Sequence, residues 1–374
     1  MNILIAPDSH KGGPDASHVA STIADAWRNT RPNDVITSIP IADGGDGTAA
    51  ILAQATAGRT FPVLAPDPFG VPQMADWVLL GDGKTAVIEL ARTSGLALIP
   101  ENRRNPLRAT TRGMGDAILE AIQHGATDLI LTVGGSSSND GGADLAAALG
   151  YILVDDSGLP VPDGAAGILS ATKLRITPHP LLEKVKSVRV AVDVQNPLTG
   201  PNGAAATYGP QKGATASDIV LLDRCMERWL EITGLSSFPG AGAAGGTPVG
   251  IRLVFPDATF EPGISLVLDA CGFDDALKHA DLVITSEGCF DRQTHMGKAI
   301  SGVAARAAAA GVPVIVIAGM VDVPSLAQSA NPGYAFHHVE PSSNGPVAAV
   351  AQRITNLRVA TARVAGQIET ILQS

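Results

Sequence analysis

The chain has 374 residues, of which 45% are hydrophobic and 4% aromatic, with Gly 41, Pro 26 and a formal net charge of −10. That composition suits an ordered α/β enzyme better than a disordered protein, with two domains or one domain with a large insertion. The acidic balance offers no basic face for nucleic acid, and the most apolar stretch, Ala307 to Val321, is split by Gly311 and Pro313 and falls short of a membrane span.

Asn2 to Ala6 reads as a buried strand. Met1-Asn2 leads into it with no basic n-region and no long apolar h-region, so the expected location is cytoplasmic. The strand ends in Pro7-Asp8-Ser9-His10-Lys11-Gly12-Gly13-Pro14, and Asp15-Ala16-Ser17 supplies N-cap residues for a helix to about Trp27. Asp8, Ser9 and Lys11 therefore sit at the exit end of the first strand, where open parallel sheets bind ligands. Lys11 could neutralise a phosphate or carboxylate, or be a solvated loop lysine. His10 and His18 read as surface residues. Val35 to Ile41 is the second strand. It enters Ala42-Asp43-Gly44-Gly45-Asp46-Gly47-Thr48, where Asp43 and Asp46 could bind a cation, orient a polyol hydroxyl, or cap the helix Thr48 to Ala57.

Proline-containing short runs from Gly58 to about Phe69 mark the start of a second domain. Met74 to Leu80 and Lys84 to Leu90 read as paired strands joined at Gly81-Asp82-Gly83. Arg112 lies in Thr110-Thr111-Arg112-Gly113-Met114-Gly115, ahead of a helix from Asp116 to His124. Its planar fork suits a carboxylate, unless an ordinary surface ion pair uses it. The strand Asp128 to Val133 then enters Gly134-Gly135-Ser136-Ser137-Ser138-Asn139-Asp140-Gly141-Gly142, and an alanine-rich helix, Ala143 to Leu149, leaves it. Glycines there admit a ligand close to the backbone, and a helix start favours an anion. Tyr151 to Val154 with its Asp-Asp-Ser-Gly turn reads as a hairpin.

Val188 to Val194 is a strand that carries Asp193 near its end, before Asn196-Pro197. Phosphoryl transfer to an alcohol needs a base beside the hydroxyl, and an Asp at such a place could serve. Lys212 lies in the glycine-rich run Tyr208 to Gly213. A helix, Ser217 to Thr233, leads to a third glycine loop, Pro239 to Gly246. Asp281 to Thr285 is a strand followed by Glu287 and Asp291, hard oxygen ligands of the kind Mg²⁺ takes. Gly297-Lys298 begins a helix to about Ala310, Val312 to Ala318 is a strand, and the last helix starts at about Val347. This alternation implies a parallel sheet. Cys225, Cys271 and Cys289 have no metal-ligand spacing and suit a reducing compartment. No Gly-x-Gly-x-x-Gly follows the first strand, which argues against a dehydrogenase.

Eight stretches, taken together and in order, resemble the bacterial glycerate kinase family of type 1, which phosphorylates glycerate at its 2-hydroxyl. They are Ala6 to Gly12, Ala42 to Thr48, Thr111 to Gly115, Gly134 to Gly142, Asp193 to Leu198, Gly209 to Ala214, Pro239 to Gly246, and Glu287 to Lys298. The resemblance implies an α/β fold of two domains with the active site in the cleft. One is a flavodoxin-like parallel-sheet domain built from both chain ends (1–60 plus 280–374); the other is an inserted mixed α/β domain (61–279). It also implies ATP, Mg²⁺ and D-glycerate, giving 2-phosphoglycerate and ADP. By the same resemblance, Asp193 takes the hydroxyl proton, and Arg112 and Lys11 hold the glycerate carboxylate or neutralise the transferred group. Asp8, Ser9, Asp43, Asp46 and Asn196 line the acceptor site. Gly134, Gly135, Ser136, Ser137, Asn139, Asp140, Lys212, Gly242, Gly245 and Lys298 hold the nucleotide, and Glu287 and Asp291 the metal. Ser286 stands where the family usually has glycine, Cys289 where a basic residue is frequent, Asp46 where Glu is usual, and Gly12-Gly13-Pro14 departs from the common first loop. Two alternatives stay open: a kinase of another small hydroxy acid, and a weakly catalytic ligand-binding paralogue. A monomer or homodimer is expected, with no nucleic acid or membrane partner.

Overall fold

The computed structural model describes residues 1–10, 13–45, 47–287, 299–318, 334–338 and 346–372. The chain divides into two compact units, Met1–Asp43 with Ile264–Ser374, and Gly44–Gly263.

The unit made from the chain ends holds a five-stranded sheet in the order Tyr334–His338, Val314–Ala318, Leu282–Glu287, Asn2–Ile5, Val35–Ser38. Every neighbouring pair is parallel. Numbered along the unit's own strands, the order is that of a flavodoxin-like doubly wound sheet. The reason is legible in the side chains. Ile3 to Ile5, Leu282 to Ile284 and Val314 to Ala318 are all buried, as central strands covered on both faces must be. Ile3, Ile5, Ile284 and Ile315 share one core with Val19, Ile23 and Trp27 of the helix Ala16–Thr30 and Leu357, Val364 and Ile368 of the helix Pro346–Ile371. Asp15 caps the first of these helices, its carboxylate accepting the His18 N–H at 2.7 Å.

The Gly44–Gly263 unit carries a six-stranded mixed sheet in the order Thr259–Glu261, Ser187–Ala191, Asp128–Thr132, Thr85–Glu89, Pro72–Leu79, Arg59–Pro66. The first four strands are parallel; the last two join antiparallel. Leu129, Leu131, Val188 and Val190 pack with Met114, Ile118 and Ile122 of the helix Arg112–Gln123 and with Leu145.

Three local readings change. The proline-containing run after Gly58 is a full strand, Arg59–Pro66, paired over its whole length with Pro72–Leu79. It lies at the edge of the sheet, where a strand tolerates prolines within its length. The helix expected from Asp116 starts four residues earlier, at Arg112. Gly113 and Gly115 belong inside it because a Cβ would come within 2.4 Å of the Pro66 carbonyl oxygen and 2.7 Å of the Leu145 carbonyl oxygen, respectively. Tyr151–Val154 pairs with Lys173–Ile176; the Asp155 to Gly158 turn adds only a single bridge, Val154 to Pro160.

Candidate active site

In the Gly44–Gly263 unit three parallel strands end level with one another: Glu89 is paired with Thr132, and Thr132 with Ala191. The segments that leave them carry the glycine loop and Asp193. Both therefore lie at the carboxyl edge of one sheet, where doubly wound sheets bind ligands.

The glycine loop has an open half and a buried half. Gly134 and Gly135 are exposed. Gly135 has φ +70, and a Cβ on Gly134 would meet nothing nearer than the Gly45 Cα at 3.5 Å. Ser136 to Asp140 are buried. The Ser137 N–H and hydroxyl both donate to the Ser94 carbonyl, at 2.9 and 2.8 Å. The Asp140 carboxylate accepts the Thr111 N–H at 2.9 Å, the Thr111 hydroxyl at 2.6 Å and the Gly142 N–H at 3.2 Å. Asp144, one helical turn on, accepts from the Thr110 hydroxyl and the Gly164 N–H, each at 2.7 Å. Burial raises the pKa of both carboxyls, and Asp140 beside it pushes Asp144 further, well above the usual range.

Lys212 is 2% exposed. Its Nζ donates to the Ser136 hydroxyl oxygen at 2.7 Å and to the Ser138 carbonyl at 2.6 Å. Desolvation lowers its pKa to about 7, against the pull of Asp140. An uncharged amine keeps two N–H donors, enough for both bonds. Among the described residues, neither end of the fully buried Asn139 amide has a hydrogen-bond partner, nor has the Ser138 hydroxyl. Such orphans are uncommon in native interiors.

The third glycine loop packs against the central one. Gly245 (φ +70) would place a Cβ 2.1 Å from the Ser138 carbonyl oxygen, and its own carbonyl accepts the Gly141 N–H at 3.0 Å. A Cβ on Gly242 would lie 2.2 Å from the Pro197 carbonyl oxygen. The close approach these two glycines permit is thus taken by protein backbone. Asn196 orders the same turn: its Nδ2 donates to the Asn202 carbonyl at 2.8 Å and its Oδ1 accepts the Tyr208 hydroxyl at 2.8 Å. Asp193 is exposed, with Oδ1 accepting the Gly263 N–H at 2.8 Å. Arg112 makes a two-pronged ion pair with Asp163, at 2.5 and 2.6 Å, and that pairing holds its pKa above the ordinary guanidinium value. Here the ion-pair reading of Arg112 describes the geometry.

In the unit of chain ends, Asp8 and Ser9 follow the first strand. The Asp8 N–H donates to the Ser286 carbonyl at 2.9 Å, and the Ser9 N–H to Asp8 Oδ1 at 2.6 Å. Ser9 is exposed and Asp43 half-buried. His10, expected at the surface, is 4% exposed. Its Nε2 lies 2.9 Å from the hydroxyl of Ser286, which brings the ring inside. Burial, then the nearby Arg353 charge, lowers its pKa to about 4. Ser286 is a fully buried strand residue without positive φ, so its side chain costs no backbone strain. Glu287 ends that strand at 7% exposure. Lys11, Asp46, Cys289, Asp291 and Lys298 lie outside the described residues. Among the described residues no three His, Cys, Asp or Glu side chains gather as a metal cluster, and no helix is long and apolar enough to cross a membrane.

The supporting residues Thr110, Thr111, Asp144, Asp163 and Glu89 were not singled out from sequence. Asp140 and Asp144 carried a signal, their spacing of four across a loop-to-helix junction. Glu89, buried at its strand end, accepts the Ala49 N–H at 2.8 Å and so holds the start of the helix Thr48–Thr56. Its partner 40 residues earlier gives no local sign.

Residues 3–369 match the glycerate kinase family. The chain belongs to the glycerate kinase family. It is similar to the glycerate kinase of Halalkalibacterium halodurans, at 43% identity over 85% of each chain. It is also similar to the glycerate 2-kinase of Escherichia coli, at 41% identity over 85% of each chain. Among solved structures, a protein assigned as glycerate kinase 2 from Salmonella typhimurium LT2 matches over 100% of both chains, with a TM-score of 0.88 and 35% identity. Membership of the glycerate kinase family makes the chain a kinase, and so a transferase.

Proposed function

We propose that this chain transfers the γ-phosphoryl group of ATP to the 2-hydroxyl of D-glycerate, giving 2-phosphoglycerate and ADP, in the cytoplasm. One observation carries the reading: the exposed Gly134-Gly135 backbone and the exposed carboxylate of Asp193 leave neighbouring parallel strands paired at Thr132 and Ala191. A phosphate-cradling backbone and a base then share one sheet edge.

Asp193, oriented by the Gly263 N–H, takes the 2-hydroxyl proton as the hydroxyl oxygen bonds to phosphorus and the bond to ADP breaks. Gly134 and Gly135 approach the phosphates. Ser136, Ser137, Asn139, Asp140 and Lys212 are buried, and Gly242 and Gly245 are packed on backbone. They serve the nucleotide by fixing the loop's shape, so that little reorganisation is left for the reaction. Asp8, Ser9 and Asp43 line the acceptor site, and Lys11 is the proposed partner of the glycerate carboxylate, since Arg112 is already forked to Asp163. Glu287 and Asp291 are the proposed holders of Mg²⁺; one buried strand-end carboxylate is a hard oxygen donor of the kind that ion accepts while keeping water and phosphate oxygens. When bound, the ion supplies charge neutralisation at the phosphoryl oxygens.

ADP release from ATP with Mg²⁺ and D-glycerate, with the product read by phosphorus NMR, tests this. Wild type is expected to give 2-phosphoglycerate, and Asp193→Asn to lose about a hundredfold or more. Turnover that survives in the variant moves the base to Asp43. No glycerate-dependent turnover in wild type sinks the glycerate reading and turns attention to other small hydroxy acids.

A further inference from the structure

Two side chains outside that catalytic set meet at the carboxyl end of the sheet formed by the chain ends. Ser286, fully buried in the strand Leu282–Glu287, holds the Pro7–His10 segment at two points. Its carbonyl accepts the Asp8 N–H at 2.9 Å, and its hydroxyl lies 2.9 Å from His10 Nε2. A third tether runs from the Ile41 N–H to the Pro7 carbonyl at 3.0 Å. Ser9 stands exposed between the anchored residues.

Proton accounting gives the contact a direction. A serine hydroxyl has one proton and a carbonyl can only accept. The Ser286 oxygen approaches the Ile317 carbonyl oxygen at 2.6 Å, a separation that requires that proton between them. Toward His10 the serine oxygen is therefore an acceptor, and the ring hydrogen sits on Nε2.

We propose that Ser286 and His10 are a positioning pair, a directed run from the His10 Nε2–H through the Ser286 hydroxyl to the Ile317 carbonyl, that sets the first loop and so places Asp8 and Ser9 against the acceptor. Neither touches the reacting atoms. The proposal rests on the reading that Asp8 and Ser9 line the glycerate site. Its signature is a change in acceptor KM with phosphoryl transfer itself left intact.

The test uses the full chain with His10→Leu, Ser286→Ala and His10→Gln. Leucine fills the space without a donor; glutamine returns an N–H near the lost Nε2. His10→Leu and Ser286→Ala are expected to raise KM for D-glycerate about tenfold, with kcat and KM for ATP within about threefold, and His10→Gln to stay within about threefold throughout. If His10→Leu does not fold, His10→Asn takes its place, because its shorter amide does not reach Ser286 and the same rise is expected. Unchanged glycerate KM in folded His10→Leu (or His10→Asn) and Ser286→Ala overturns the pair. Two readouts need no turnover, so failure of the glycerate reading is told apart from failure of the pair. Nitrogen-15 NMR of the unliganded protein should show His10 as the Nε2–H tautomer, and amide exchange should show Asp8 to His10 less protected in Ser286→Ala than in wild type. An Nδ1–H tautomer, or equal protection, overturns the proposal.

Discussion

The two units hold a polar loop at the carboxyl end of a parallel sheet by different means. In the Gly44–Gly263 unit the holders are ionisable and buried: Lys212 on Ser136 and Ser138, Asp140 on Thr111 and Gly142. In the unit of chain ends they are mostly neutral: Ser286 on Ile317, His10 on Ser286, and the Thr285 hydroxyl on the Ala6 carbonyl at 2.8 Å. A buried ionisable group is costly to desolvate and leaves several partners stranded when it is deleted; a neutral hydroxyl leaves one or two. The difference predicts a rigid central loop that tolerates little change, and a first loop that adjusts.

Fluorine NMR of fluorotryptophan protein can test this contrast unit by unit in urea. Trp27 packs in the core of the chain ends, while Trp229 donates to the Gly141 carbonyl at 3.0 Å beside the central loop. The largest effect is expected from Asp140→Ala, which strands the Thr111 and Gly142 amides and should lower stability at the Trp229 signal by about 3 kcal/mol. A loss below about 1 kcal/mol would break the comparison. Gly245→Ala comes next, at about 2–3 kcal/mol, because its methyl meets the Ser138 carbonyl and its φ is +70. Ser286→Ala, on the neutral side, should cost only about 1 kcal/mol, and at Trp27.

The pH dependence sharpens the same contrast. The folded pKa of Lys212, lowered to about 7, lies below its unfolded value, so between the two the unfolded state binds more protons and stability rises as pH climbs above about 7. Lys212→Met should flatten that rise at Trp229 between pH 7 and 9. His10, lowered to about 4, also binds its proton more readily when unfolded. Its contribution is intact above its unfolded value and is lost as pH falls from about 6.5 toward 4, by at most about 3 kcal/mol. His10→Gln should flatten that fall at Trp27.

Local physics made much of this legible from sequence. The apolar run at Ile3 announced a buried strand and that at Leu282 a strand, Asp15 announced a helix start, and Gly134 to Gly142 sat between a strand and a helix as read. What stayed hidden was whether a glycine's missing Cβ makes room for a ligand or for the chain itself. Gly134 and Gly245 look alike in sequence, yet one opens outward and the other abuts Ser138. Long-range pairing was hidden as well: Arg112 finds Asp163 51 residues away, and His10 finds Ser286 276 residues away. No local pattern encodes such partners.

The division of the chain also has a consequence for its synthesis. Residues Gly44–Gly263 are continuous and can complete their core while translation continues, but the strand Asn2–Ile5 must wait for its neighbour Leu282–Glu287. At roughly 5–20 residues per second that wait lasts on the order of tens of seconds. During it the edge of Asn2–Ile5 that Leu282–Glu287 will cover stays open, so the continuous middle of the chain can fold before the sheet of the chain ends is complete.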